Sequence, residues 1–279
     1  MELLEPGLLA EGDYKITLTG PQGQTFNIAT PHRHEREHQP VLLLKGGTDG
    51  FRVKPERRAR ASVNRYGERE YGKRFPPFGG TLKTLVGAPG FKLGHVDRNW
   101  RKLWSPFEDT KVTVAATDGG NAFANFRLVD MSDLPHNLRG QPSYPCDVTW
   151  TCPDGAWSGP ARTYSGAATV IDPSDPGFSA KLTLAWNTAE DLDVTFPAGN
   201  RITFKASSIS KKLPDTVFFD LEPGMMGRPT DAAGNELDTL WSAFAGKMRG
   251  LELEPHIPTR WALSGCELRV TPRYLHPWR

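Results

Sequence analysis

The sequence predicts a mainly β protein of two domains. Two observations predict the class. The 279 residues include 28 Gly and 24 Pro, and between these breaks recur short runs that alternate apolar and polar side chains, the period of half-buried strands. A third observation fixes the centre of the first domain. Val96, Trp100, Leu103 and Trp104 fall at i, i+4, i+7 and i+8, one face of a helix, and Phe107 extends the stripe to i+11. Asp97 is read as the N-cap of that helix, and Ser105-Pro106 as its stop.

The elements follow in order. Tyr14, Ile16 and Leu18 alternate with polar residues, Gly20-Pro21-Gln22-Gly23 turns, and Phe26 and Ile28 resume the alternation, which makes an opening hairpin. Val41 to Leu44 is a continuous apolar run, the pattern of a strand buried on both faces. Leu82, Leu85 and Val86 begin a return strand. Val112 and Val114 lead through Asp118-Gly119-Gly120 into Ala122, Ala124, Phe126 and Leu128, a hairpin on which the helix packs. Val96, Trp100, Leu103, Trp104, Phe107 and Phe126 are therefore expected in the core. Residues 134–146 hold Pro135, Gly140, Pro142 and Pro145 and read as a linker between domains 1–133 and 147–279.

The second domain shows strands at Cys146–Cys152, Ala180–Trp186, Leu192–Phe196, Ile202–Phe204 and Thr216–Leu221. Leu240, Trp241, Phe244 and Met248 suit a short helix. Leu251, Leu253, Trp261, Leu263, Leu268 and Val270 supply the last strands.

Charge narrows the function. Net charge is +2 overall, yet residues 52–74 hold nine basic residues (Arg52, Lys54, Arg57, Arg58, Arg60, Arg65, Arg69, Lys73 and Arg74) against three acids, a local +6. The remainder of the chain is thus net −4. A long loop or extended hairpin is expected here, with docking on an acidic protein surface as its leading use. Phosphate binding and a merely solvated excursion stay open. No run of about 18 apolar residues could span a bilayer, and the N-terminus lacks the basic and apolar regions of a signal peptide. Three cysteines fit a reducing compartment. Cys146 and Cys152 on one strand lie about 20 Å apart when extended, too far for a disulfide, and are expected as small packing residues.

Catalytic motifs are missing: the chain has no G-x-S-x-G, P-loop, G-x-G-x-x-G or H-E-x-x-H. Glu252 and Glu254 would share a strand face, as a paired-carboxylate site needs, but surface alternation accounts for them equally. His32, His34 and His38 could place imidazoles on one strand face, but no Asp or Cys completes a metal set. His136-Asn137-Leu138-Arg139 matches a galectin sugar contact only by chance, without its glutamate and tryptophan. No catalytic, cofactor or metal residue is assigned, and the chain is expected not to be an enzyme. Exposed Trp157, Trp186 and Trp261 would instead suit a carbohydrate-binding module.

The order of features resembles the distal tail protein (Dit) family of long-tailed phages. It runs from the apolar strand Val41–Leu44 and Gly47-Thr48-Asp49-Gly50-Phe51 to the basic excursion, Arg98-Asn99-Trp100 in the helix and Asp118-Gly119-Gly120. The closing Pro272-Arg273-Tyr274 … Pro277-Trp278 resembles the family's ending. The family's Asn-Pro-Gly-Asp stretch is replaced by Trp186-Asn187-Thr188-Ala189-Glu190-Asp191. The resemblance implies a tail-tube-like β-sandwich with one helix, then a galectin-like β-sandwich. It implies a homohexameric ring at the tail tip, with the tail tube protein above and the tail-tip hub or tail-associated protein below. Contact with the tape measure protein is also open, and DNA would pass through the lumen only in transit. A tail tube protein remains the neighbouring alternative.

Overall fold

The computed structural model describes residues 13–36, 38–61, 68–88, 90–135, 141–208, 213–222, 227–244, 247–248 and 251–278. The chain divides into two compact units, Met1–Ser158 with Leu275–Arg279, and Gly159–Tyr274.

The first unit holds β1 (Tyr14–Thr19), β2 (Thr25–Ala29), α1 (Arg33–Arg36), β3 (Val41–Leu43), β4 (Glu56–Ala61), β5 (Glu68–Arg74), β6 (Phe78–Val86), α2 (Leu93–Leu103), β7 (Thr110–Ala116), β8 (Asn121–Met131), β9 (Tyr144–Cys152) and β10 (Trp157–Ser158). One antiparallel sheet runs β2-β1-β7-β8-β9-β6-β3, and its two end strands lie side by side, so the sheet curls toward a barrel. Alternation did its expected work: Ile16, Leu18, Val112, Val114, Ala122, Ala124 and Phe126 point inward and are buried.

The expected linker does not divide the two units, although its residues 136–140 lie outside the described residues. Met131 ends β8 and Tyr144 begins β9, which pairs with β6 along its whole length, from Phe78↔Cys152 to Val86↔Tyr144. The boundary therefore falls at Ser158/Gly159, not at 134–146. Pro145 reads as a breaker in sequence, yet it sits in the stretch of β9 beyond the β8 pairing, where a missing N–H costs no ladder bond to β8.

Helix α2 starts earlier than its pattern suggested. Lys92 is the N-cap and gives no side-chain cap bond, while Asp97 lies inside the helix. Asp97 is buried for a tertiary reason. Its Oδ1 accepts from the Arg101 guanidinium at 3.0 Å and from the Tyr144 hydroxyl. Arg101 also donates to the Ser132 carbonyl at 3.1 Å, so the helix is tied to the ends of β8 and β9. Burial, then the bond to Asp97, raises the Tyr144 phenol above its ordinary pKa. Val96, Trp100, Leu103 and Trp104 are buried as expected. Phe107 is not: it is 87% exposed, because the helix ends at Leu103 and the stripe has no turn left to carry it inward.

The second unit holds β11 (Arg162–Val170), β12 (Lys181–Asn187), β13 (Leu192–Thr195), β14 (Arg201–Phe204), β15 (Thr216–Asp220), β16 (Pro229–Thr230), α3 (Asp238–Phe244) and β17 (Thr259–Thr271). β17 is the spine. Its first half pairs with β13, its second half with β12, and β11 follows it on both sides of the change. The bend falls at Gly265 (φ +67°) opposite a register shift at Gly166 (φ +66°), a bulge that turns one strand between two stretches of sheet. Leu182, Leu184, Trp186, Val194, Phe219, Phe244, Leu268 and Val270 form the core inside this curl. Two readings change here. Leu251–Glu254 forms no strand, and the last strands are one 13-residue strand. Strand β11 had no sequence signal, because only Val170 of its nine residues is buried.

Candidate functional site

The basic stretch forms an arm. β4 and β5 pair only with each other, Glu56↔Arg74 to Ala61↔Glu68, outside both main sheets. Arg57 is the register partner of Lys73 and Arg60 of Arg69. Residues 62–67, Arg65 among them, lie outside the described residues. Arg52 and Lys54 on its stem are exposed.

The root of the arm is anchored on both sides. Phe51 and Val53 are each 1% exposed, and the Val53 amide donates to the Leu275 carbonyl at 2.8 Å. The Phe51 carbonyl accepts from the Trp157 indole at 2.6 Å. On the returning side Phe78 meets Trp150 edge-on at 5.6 Å, and Phe126 stacks on Trp150 at 3.6 Å. At the root the two backbones touch: a Cβ on Gly50 (φ +90°) would come within 2.3 Å of the Gly79 carbonyl. The basic hairpin thus leaves the unit from an aromatic collar with close backbone contact at its root.

The other candidate residues separate clearly. The helix face Val96, Trp100, Leu103 and Trp104 and the strand residue Phe126 are core and serve the arm's scaffold. Trp157, Trp186 and Trp261 are all buried, so none offers a ring to a sugar. Glu252 and Glu254 share no strand face. Residues 33–36 are helical and not the expected strand, and the Glu35 carboxylate accepts from Thr30 Oγ1 at 2.6 Å. No group of three or more metal-ligating side chains forms among the described residues. His136–Arg139 lies outside them. Cys146, Cys152 and Cys266 are free and buried, as small packing residues are, and burial pushes the Cys152 and Cys266 thiols up to about 12. A shallow cleft lined by Arg228, Glu236 and Trp241 is self-satisfied: Arg228 grips both Glu236 oxygens at 2.8 Å and lies over the Trp241 ring. No helix among the described residues is long and apolar enough to cross a membrane.

Exposed apolar surface completes the picture, and sequence reasoning missed it. Phe107, Val129 and Leu134 are 87%, 62% and 43% exposed. Phe107 had been assigned inward by periodicity, whereas Val129 follows Phe123, Asn125 and Arg127 on the outward face of β8, beside the register shift between Leu128 and Asp130.

No protein-family model and no curated protein matches the chain by sequence. Solved structures do match by shape. The Dit protein (gp 19.1) of phage SPP1, described as a paradigm of the hub adsorption apparatus in phages infecting Gram-positive bacteria, superposes with a TM-score of 0.54 at 13% identity over 92% of this chain and 98% of that one. A chain of the phage P2 baseplate in its activated conformation with calcium gives 0.50 at 8% identity over 94% and 99%. The fold of this chain is therefore that of a phage Dit protein, and the matched share is too large to leave out either unit.

Proposed function

We propose that this chain is a structural protein of a phage tail tip, a distal tail protein that assembles as a homohexameric ring, joins the tail tube to the hub or tail-associated protein, and lets DNA pass during ejection. The likeness to the SPP1 Dit protein carries this reading, because it covers 92% of the chain and not one unit alone. The basic hairpin supports it as well, since a charged arm without a core of its own gains from an opposing surface. A closed ring would also bury apolar patches and sheet edges that a monomer leaves in water. The protein is proposed to work in the virion, after assembly in the host cytoplasm, and to catalyse no reaction of its own.

The test is two-dimensional class averaging of the purified protein. Single six-fold rings are expected. Stacked rings would favour a tail tube protein, and a monomer at all concentrations would remove the ring.

A further inference from the structure

We infer that one copy's basic hairpin seats on a specific ridge of the next copy, made by residues 105–109 and the end of β8 with its continuation to residue 134. The inference rests on the ring reading above and names the two surfaces that would meet.

The ridge is continuous. The Leu128 amide donates to the Ser105 carbonyl at 3.1 Å, and Arg127 pairs with Asp109 at 2.9 Å, so the loop after α2 lies along β8. Ser105 Oγ accepts from the amides of Phe107 and Glu108, both at 3.1 Å, which holds Phe107 in its outward position. Further along, the Ser132 amide donates to the Asp147 carbonyl at 2.9 Å and brings β9 alongside. Three large apolar side chains (Phe107, Val129 and Leu134) stand out from this ridge, half of the exposed large hydrophobics among the described residues. An 87% exposed phenylalanine held by a built turn is the kind of anchor that interfaces bury.

Charge names the occupant. Glu108, Asp130 and Asp133 are exposed along the same ridge and form no ion pair among the described residues. The hairpin segment carries net +6, and its sequence adds Val63, Tyr66 and Tyr71 as apolar partners. An acidic ridge with apolar knobs and a basic arm with aromatic residues on the same chain complement each other. Each copy supplies one arm and one ridge, so the contact is head-to-tail, and a head-to-tail contact closes into a ring when its rotation permits.

The full-length protein tests this by sedimentation velocity. Asp130→Lys with Asp133→Lys, Phe107→Ser, and Arg57→Glu with Arg58→Glu and Arg60→Glu are each expected to weaken self-association about tenfold or more. A chain carrying both sets of charge reversals is expected to assemble with itself again. Wild-type protein that stays monomeric overturns the ring reading and this docking with it. Wild-type rings that the ridge variants leave unchanged, or reversals that fail to restore each other, overturn the docking alone. A second measurement is independent of how the variants fold. In a mixture of nitrogen-14 and nitrogen-15 wild-type protein, carbodiimide coupling of Lys54 or Lys73 to Asp130 or Asp133 should yield mixed-isotope peptides. Couplings confined to single chains, or none at these pairs, overturn it.

Discussion

Trp100 and Phe107 stand seven residues apart in one apolar stripe and end in opposite environments. Trp100 is fully buried and meets Phe26 edge-on at 5.5 Å. Truncating it to alanine is expected to lower the unfolding free energy by about 3–5 kcal/mol in a urea titration, the range for a large core aromatic. Compared as dissociated monomers, Phe107→Ser should stay within about 0.5 kcal/mol of wild type in the same titration, because an exposed ring has no core contact to lose. The buried thiols give a second residue-scale prediction. Burial pushes the native Cys152 and Cys266 thiols up to about 12, against 9.0 for an ordinary thiol. A raised native pKa means that the folded state keeps a proton which the unfolded chain releases. Their contribution is complete below pH 9 and is lost as pH climbs from 9 toward 12. Thermal melts over that window should fall, and fall less in Cys152→Ala. The native thiols should resist an aromatic disulfide reagent at pH 8 until denaturant is added.

At the scale of elements, the two glycines at the bend of β17 differ in a measurable way. Both have φ near +66°, but a Cβ on Gly166 meets nothing within 4 Å, whereas one on Gly265 would stand 2.2 Å from the Asp191 carbonyl. Gly166→Ala should cost about 1 kcal/mol from backbone strain alone. Gly265→Ala should add an overpacking cost of about 1–3 kcal/mol, visible as a lower denaturation midpoint. The basic hairpin makes the opposite case. It belongs to neither main sheet, so Arg57→Ser with Arg58→Ser and Arg60→Ser should leave the melting temperature of the dissociated monomer unchanged. Ring formation should weaken, and the wild-type assembly should itself weaken as salt rises from about 0.1 to 1 M and the screening length shrinks from about 10 to about 3 Å. Assembly indifferent to both changes would remove the arm from the interface.

At the scale of the whole molecule, the chain's last residues belong to its first unit. Trp278 packs on Tyr14 at 4.5 Å and stacks on Phe51 at 5.8 Å, and Leu275 accepts the Val53 amide at the arm's root. A chain ending at Tyr274 should therefore lose stability in the first unit and keep the second unit's transition, which lies within Gly159–Tyr274. Calorimetry resolving two transitions would check it, and a shift confined to the second would contradict the division.

Sequence periodicity by itself determined much of this protein. The opening hairpin, the strand Val41–Leu43, the buried face of α2, the hairpin through Asp118-Gly119-Gly120 and most of the second unit's core were legible, because burial on one face of a regular element repeats every 2 or 3.6 residues. The basic arm was legible as charge. Tertiary structure alone decided the rest. It placed the unit boundary at Ser158, because a proline-bearing strand can still pair where its missing N–H meets no partner. It put Asp97 into a buried pair with Arg101 and Tyr144 instead of at a helix cap. It left Phe107 in water, since the end of the helix breaks the period by which a side chain's direction is read. Periodicity reports which face a regular element buries, and it carries no information about residues beyond the point where the element stops, which is where Phe107 stands.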